Sequence, residues 1–162
     1  MLKFKWLAVL VLFFLGVQPS FADDREKLFG LWKTVSLETE YQGTSDRDFP
    51  LGKNLTGYVM YTPEGRIWSI VTGEGREAPK TDQDRTELFK SMFAYTGTYR
   101  VEGDKLITKV DVSWNPAWVG KEQVRTFKID GDRLLHISDW MPAVTKPERG
   151  MGRGISTLER VK

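Results

Sequence analysis

The sequence predicts one small all-β domain of eight short antiparallel strands, closed into a barrel or packed as a sandwich. Three observations carry this. Beyond residue 22 the chain runs as short apolar or alternating stretches broken by turn chemistry, two of those breaks are near copies of one another, and only one stretch has helical spacing.

The candidate strands are 31–40, 57–62, 66–72, 97–102, 105–114, 121–130, 133–140 and 154–161. Thr62-Pro63-Glu64-Gly65-Arg66 offers proline to open a turn and glycine for the left-handed residue that closes it. Val101-Glu102-Gly103-Asp104-Lys105-Leu106 and Ile129-Asp130-Gly131-Asp132-Arg133-Leu134 each place glycine and a carboxylate at a reversal, the mark of a tight hairpin. Helical spacing occurs over 81–95, where Thr81 or Asp82 caps the start and Leu88, Met92 and Tyr95 recur beside Phe89 and Phe93. The neighbouring strands are apolar on both faces, Tyr58, Met60, Trp68 and Ile70 on one and Val59, Tyr61, Ile67 and Val71 on the other. The expected cover for the outer of these faces is the helix. Residues 41–56 and 141–153, rich in Gly, Pro, Asp and Arg, read as mobile loops.

Residues 1–22 read as a cleavable export signal. Lys3 and Lys5 precede an apolar run from Trp6 to Val17, and Pro19-Ser20-Phe21-Ala22 then supplies a small-residue cleavage site. The run is about 12 residues long, whereas a membrane-spanning helix needs roughly 20. The expectation is therefore cleavage after Ala22, a periplasmic or secreted location, and a single soluble domain over 23–162 with no stable membrane insertion. The formal net charge of +2 belongs to the two leader lysines, and the rest of the chain balances. Nothing in that balance points to nucleic acid. Cysteine is absent and histidine occurs once, which excludes a cysteine nucleophile and argues against zinc, haem-thiolate or iron–sulfur sites. No metal and no cofactor are expected.

A further set of segments points to a family. Gly30-Leu31-Trp32-Lys33, Pro50-Leu51-Gly52, Gly57 to Arg66, Ala94-Tyr95-Thr96-Gly97-Thr98-Tyr99, Asn115-Pro116-Ala117-Trp118-Val119-Gly120, Gln123-Val124-Arg125 and Glu159-Arg160-Val161 together resemble the lipocalin-like domain family of bacterial and fungal proteins, across essentially all of 23–162. The resemblance implies an eight-stranded antiparallel up-and-down barrel with a closed bottom, an open mouth and one short helix after the third strand. Trp32 near the start and Arg160 near the end meet if the first and last strands pair, with guanidinium on indole at the closure. The sequence departs from the family where relatives often carry histidine in the strand 105–114, since Thr108-Lys109 stands there. Leu158 also replaces the usual tryptophan before Glu-Arg.

Hairpin register then assigns faces, because a turn fixes register and register fixes side. The copied turns pair Ile129 with Leu134, Phe127 with His136, Arg125 with Ser138, Val101 with Leu106, Tyr99 with Thr108, Gly97 with Val110 and Tyr95 with Val112. The opposite parity reads Thr98, Arg100, Lys109, Asp111, Lys128 and Asp139 and is polar. The interior set is thus Tyr95, Tyr99, Thr108, Val110, Val112, Gln123, Arg125, Phe127, Leu134, His136 and Ser138, with Thr34, Ser36 and Glu38 added by the parity of Trp32. The candidate ligand-binding residues are Tyr95, Tyr99, Thr108, Val110, Gln123, Arg125, Phe127 and His136. Arg125 reads either as the receiver of an anionic ligand head or as an internal structural group paired with Glu38 or with Tyr and Gln. His136, the weak catalytic candidate on this wall, reads as a proton carrier or as a wall residue. Trp114, Trp118 and Trp140 are candidates for the rim of the mouth.

Three functions fit. The first is an exported binding protein for a small, mostly apolar or amphipathic molecule, carboxylate-bearing if Arg125 receives it. The second is a small barrel enzyme, an isomerase, cyclase or hydrolase on a lipid-like substrate, with His136 or Glu38 as acid or base. The third is an envelope interaction module whose barrel is filled by its own side chains. The sequence leaves ligand identity and oligomeric state open.

Overall fold

The computed structural model describes residues 21–143 and 146–162. The leader read from the sequence lies, up to residue 20, outside the described residues. Eight strands close an antiparallel barrel in the order β1 (Gly30–Tyr41), β3 (Thr56–Tyr61), β4 (Arg66–Thr72), β5 (Met92–Glu102), β6 (Lys105–Ser113), β7 (Glu122–Asp130), β8 (Arg133–Ser138) and β10 (Met151–Arg160), with β10 pairing back onto β1. Two short strands, β2 (Arg47–Asp48) and β9 (Met141–Pro142), add to β1 and β10. The segments expected to be loops therefore carry structure. Leu51 and Leu55 of the first are buried, and in the second a 3₁₀ turn, Pro147–Arg149, leads into a β10 that begins at Met151.

The three tight hairpins, β3–β4, β5–β6 and β7–β8, all turn at one end of the barrel, and the four long connections gather at the other. A helix not expected from the sequence, α1 (Phe21–Leu28), closes the tight end. Its Leu28 is fully buried among Trp32, Leu106, Leu134 and Leu158, and its Arg25 donates to the Pro63 carbonyl at 2.5 Å. The closure expected between Trp32 and Arg160 is present. The guanidinium lies 4.1 Å from the indole centroid and donates to the carbonyls of Phe29 at 2.8 Å and Lys27 at 2.6 Å, while Trp32 Nε1 donates to the Leu28 carbonyl at 2.7 Å. One cation thus ties the last strand to both the first strand and the plug.

Helix α2 (Asp82–Lys90) follows β4, the third strand of the barrel. Thr81 caps it reciprocally, its Oγ1 accepting from Asp84 N at 3.1 Å and its own N–H donating to the Asp84 carboxylate at 2.9 Å. The helix closes with its C-cap at Ser91, short of the expected Tyr95, because Met92 to Tyr95 pair with β4 and extend β5. It buries none of its residues and does not cover the outer face of β3 and β4. Val59, Tyr61, Ile67 and Val71 face inward and are buried, whereas Tyr58, Met60, Trp68 and Ile70 stand exposed.

Two bulges reset the faces. Thr34 pairs with Leu158 but Ser36 pairs with Thr157, so Val35 is an extra residue and the inward parity passes from Thr34 to Leu37, which packs with Leu51, Leu55 and Val71. Ser36 and Glu38, expected inside, therefore face out, and Glu38 pairs with Arg47 at 2.8 Å. Likewise Gly97 pairs with Val110 but Thr96 pairs with Val112. Asp111 is the extra residue, so Tyr95 faces Ser113 and Val112, expected inside, is 62% exposed. Gly97 is required at this bulge because a Cβ would lie 2.2 Å from the Lys109 carbonyl oxygen.

The closure yields a first prediction. Arg160→Met removes the stack on Trp32 and the guanidinium's two hydrogen bonds to the Phe29 and Lys27 carbonyls, so denaturant titration should show a loss on the order of 2 kcal/mol with an unchanged slope.

Candidate functional site

Short of the bulge at Asp111, beyond which Tyr95 pairs with Ser113 instead of Val112, the register of the two copied hairpins is the expected one, Val101 with Leu106, Tyr99 with Thr108, Phe127 with His136, Arg125 with Ser138 and Ile129 with Leu134. It brings Tyr95, Tyr99, Thr108, Val110, Gln123, Arg125, Phe127 and His136 to one inner wall. All but Gln123 and Arg125 are buried, and those two are half-buried.

The interior is layered. Against α1 lies an apolar floor of Trp32, Ile67, Leu106, Leu134 and Leu158. Above it lies a polar middle that includes Thr34, Ser69, Thr108 and His136, all buried. At the end of the long connections Leu51, Leu55 and Val71 form a second buried cluster against which Leu37 and Phe93 pack, and Arg125, hydrogen-bonded to Gln123 and 6.0 Å from the centroid of Tyr95, lies on the inner wall. Trp118 meets Tyr95 edge-on at 5.7 Å and Trp114 at 4.7 Å, and Trp114 also packs on Phe89 of α2 and donates its indole N–H to the Phe89 carbonyl at 3.1 Å. These two tryptophans stand at the rim. Trp140 does not join them and stacks with Arg153, 4.5 Å away.

In the middle layer His136 Nε2 lies 3.1 Å from the Tyr61 hydroxyl across the barrel, and Tyr61 packs edge-on against Tyr99 at 5.1 Å. Tyr99 donates its own hydroxyl to the Thr62 carbonyl at 2.9 Å. Tyr61 is a site residue that the reading of candidate residues missed. Its parity was legible, but no local signal said which apolar face of β3 looks inward. Burial first, and then the Arg125 charge, push His136 down to about 3, and burial holds the Tyr61 hydroxyl well above its usual range. The pair is neutral at physiological pH, so His136 does not titrate there as the proton-carrier reading expected. Its hydrogen bond is to a tyrosine rather than to an orienting carboxylate.

Arg125 donates from Nη2 to Gln123 Oε1 at 2.7 Å and lies 6.0 Å from the centroid of Tyr95. Among the described residues it has no carboxylate partner. Of the two internal arrangements considered, the Glu38 pair is absent because the bulge at Val35 turns that carboxylate outward, and the contacts to Gln and Tyr are present. Two hydroxyls of the polar middle, Thr34 Oγ1 and Thr108 Oγ1, are buried with no hydrogen-bond partner among the described residues. Among the described residues no group of three or more His, Asp or Glu side chains is placed to hold a metal ion.

A closed eight-stranded barrel with a plugged bottom and polar side chains on its inner wall is an architecture that small-molecule-binding barrels share. Residues 29–161 match the lipocalin-like domain family, and the chain belongs to it. No curated protein matches the chain.

The neutral state of His136 carries a pH prediction. Unfolded, the imidazole takes up a proton near pH 6.5; folded, it does so only near 3. Between these values the unfolded chain binds more protons, so stability is complete above about pH 6.5 and falls as pH drops toward 3. His136 is the only histidine, so the decline between about pH 6.5 and 5 should flatten in His136→Gln when unfolding midpoints are followed against pH.

Proposed function

We propose that this is an exported, periplasmic or secreted, binding protein that holds one small, mostly apolar carboxylate in its barrel. The head lies at Arg125 and the apolar body among Leu37, Leu51, Leu55, Val71 and Phe93. The observation that carries the reading is the state of Arg125. A guanidinium taken partly out of water inside a barrel is costly unless an anion compensates it, and here its one hydrogen-bond acceptor is a neutral amide. A planar fork with donors to spare suits a carboxylate, whose charge-assisted bonds are about twice as strong as those to an amide. The neutral Tyr61–His136 pair and the apolar floor below offer no competing anion.

Export rests on the charged, apolar and small-residue order of residues 1–22. A cut after Ala22 spares Arg25 and Leu28, the residues through which α1 grips the barrel. The form recovered from a periplasm or medium should begin at Asp23 by intact mass, and recovery of the uncut chain alone would remove export from the reading.

The binding test uses decanoate and decanol, which share an apolar chain and differ in charge. Decanoate should bind the wild-type protein at least about tenfold more tightly than decanol, and Arg125→Met should erase that difference while leaving decanol unchanged. Native mass spectrometry of gently purified protein should show a bound carboxylate that the variant loses. Equal affinities of wild type for the acid and the alcohol would overturn the assignment of Arg125.

A further inference from the structure

Gln123 and Thr108 lie side by side on the inner wall, Gln123 one inward-facing step from Arg125 toward the long-connection end of β7. Gln123 stands two residues before Arg125 on β7 and gives its Oε1 to the Arg125 guanidinium at 2.7 Å. Directly across the ladder, Thr108 of β6 is its Cα partner, at a spacing that lets cross-strand side chains meet. Thr108 is fully buried, and its Oγ1 has no hydrogen-bond partner among the described residues. On its other flank is Tyr99, whose hydroxyl is committed to the Thr62 carbonyl. A buried hydroxyl left unpaired is costly, and native proteins seldom tolerate one without a role.

We infer that Gln123 stands in for the ligand's carboxylate in the empty barrel and that Thr108 is the partner that receives Gln123 when a carboxylate displaces it. The inference rests on the proposed role of Arg125 and deepens it. An incoming carboxylate replaces a neutral acceptor with a charged one on the same guanidinium, the stronger hydrogen bond. The released Gln123 amide then turns to the neighbouring strand, where Thr108 Oγ–H donates to the freed Oε1. One exchange satisfies the two groups that the empty barrel leaves badly served, the cation without an anion and the hydroxyl without an acceptor. An uncharged ligand cannot drive it, because an alcohol offers Arg125 nothing better than the amide already there. Gln123 and Thr108 are in this account specificity-determining residues for anionic against neutral apolar ligands.

The test is a double-mutant cycle on Gln123→Leu and Thr108→Val, with decanoate and decanol titrated against the full folded chain. Gln123→Leu removes the internal competitor and should tighten decanoate severalfold. Thr108→Val removes the receiver and should weaken decanoate about fivefold, while raising the melting temperature of the empty protein because an unpaired hydroxyl is gone. Thr108→Ser should restore wild-type affinity, and Thr108→Val should have no effect on decanoate once Gln123→Leu is also present. The quantity read is the ratio of decanoate to decanol affinity, so that any change in apolar contact common to both ligands cancels. Melting curves of each variant without ligand establish that it is folded, and Thr108→Ser covers the case in which valine does not pack. If decanoate binds through Arg125 but Thr108→Val weakens it equally with and without Gln123→Leu, or not at all, the exchange is overturned and the reading of Arg125 stands. If wild type binds decanoate no better than decanol, both fall together.

Discussion

The structure depends on the pairing of β1 with β10. A sheet of this composition has two edges with unmet N–H and C=O groups, and closing it is the one arrangement that removes both. β1 serves two barrel neighbours along its length, β3 through Gly30 to Lys33 and β10 from Trp32 to Tyr41, besides the short β2. The bulge at Val35 changes which face looks inward partway along this shared strand, so that Trp32 reaches the floor and Leu37 the mouth. At the seam the Arg160 guanidinium stacks on Trp32 and holds the carbonyls of Phe29 and Lys27. Strand closure and plugging of the bottom are therefore one event, made by the same side chains.

Closure also creates the chemistry of the interior. Once the inner face is withdrawn from water, each polar side chain on it must find a partner or carry a cost. Tyr61 and His136, on strands that never pair with one another, satisfy each other across the barrel and stay neutral. Arg125 is only half-buried on the inner wall, and this partial exposure makes a cation without a carboxylate partner among the described residues tolerable. The interior thus holds a neutral pair, Tyr61 and His136, and a cation, Arg125, whose hydrogen bond goes to a neutral amide.

Much of this was legible in the chain because hairpins are local. Two near-identical turns set the register of β5 with β6 and of β7 with β8, and register assigned Tyr99, Thr108, Val110, Gln123, Arg125, Phe127 and His136 to the inner wall. The assignments that failed share a cause. Ser36, Glu38 and Val112 each lie just beyond a bulge, and a bulge is a single extra residue with no composition of its own, here Val35 and Asp111. The helix illustrates the same limit. Its capped start at Thr81 follows from local hydrogen bonding, but its end does not, since Phe93 and Tyr95 also suit a strand and the pairing with β4 claimed them.

The amino-acid sequence alone determined the turns, the alternation, the number of barrel strands and the residues able to form an amphipathic chamber, because these rest on backbone geometry and side-chain periodicity over a few residues. Only the tertiary structure decided which face of β3 and β4 turns inward, that Glu38 does not reach Arg125, that Tyr61 meets His136, and that the outer face of Trp68 and Ile70 stays uncovered by α2. Those outcomes depend on how strands far apart in the chain share one closed ladder, and a one-residue shift in that ladder moves a charge from the inside of the barrel to the outside.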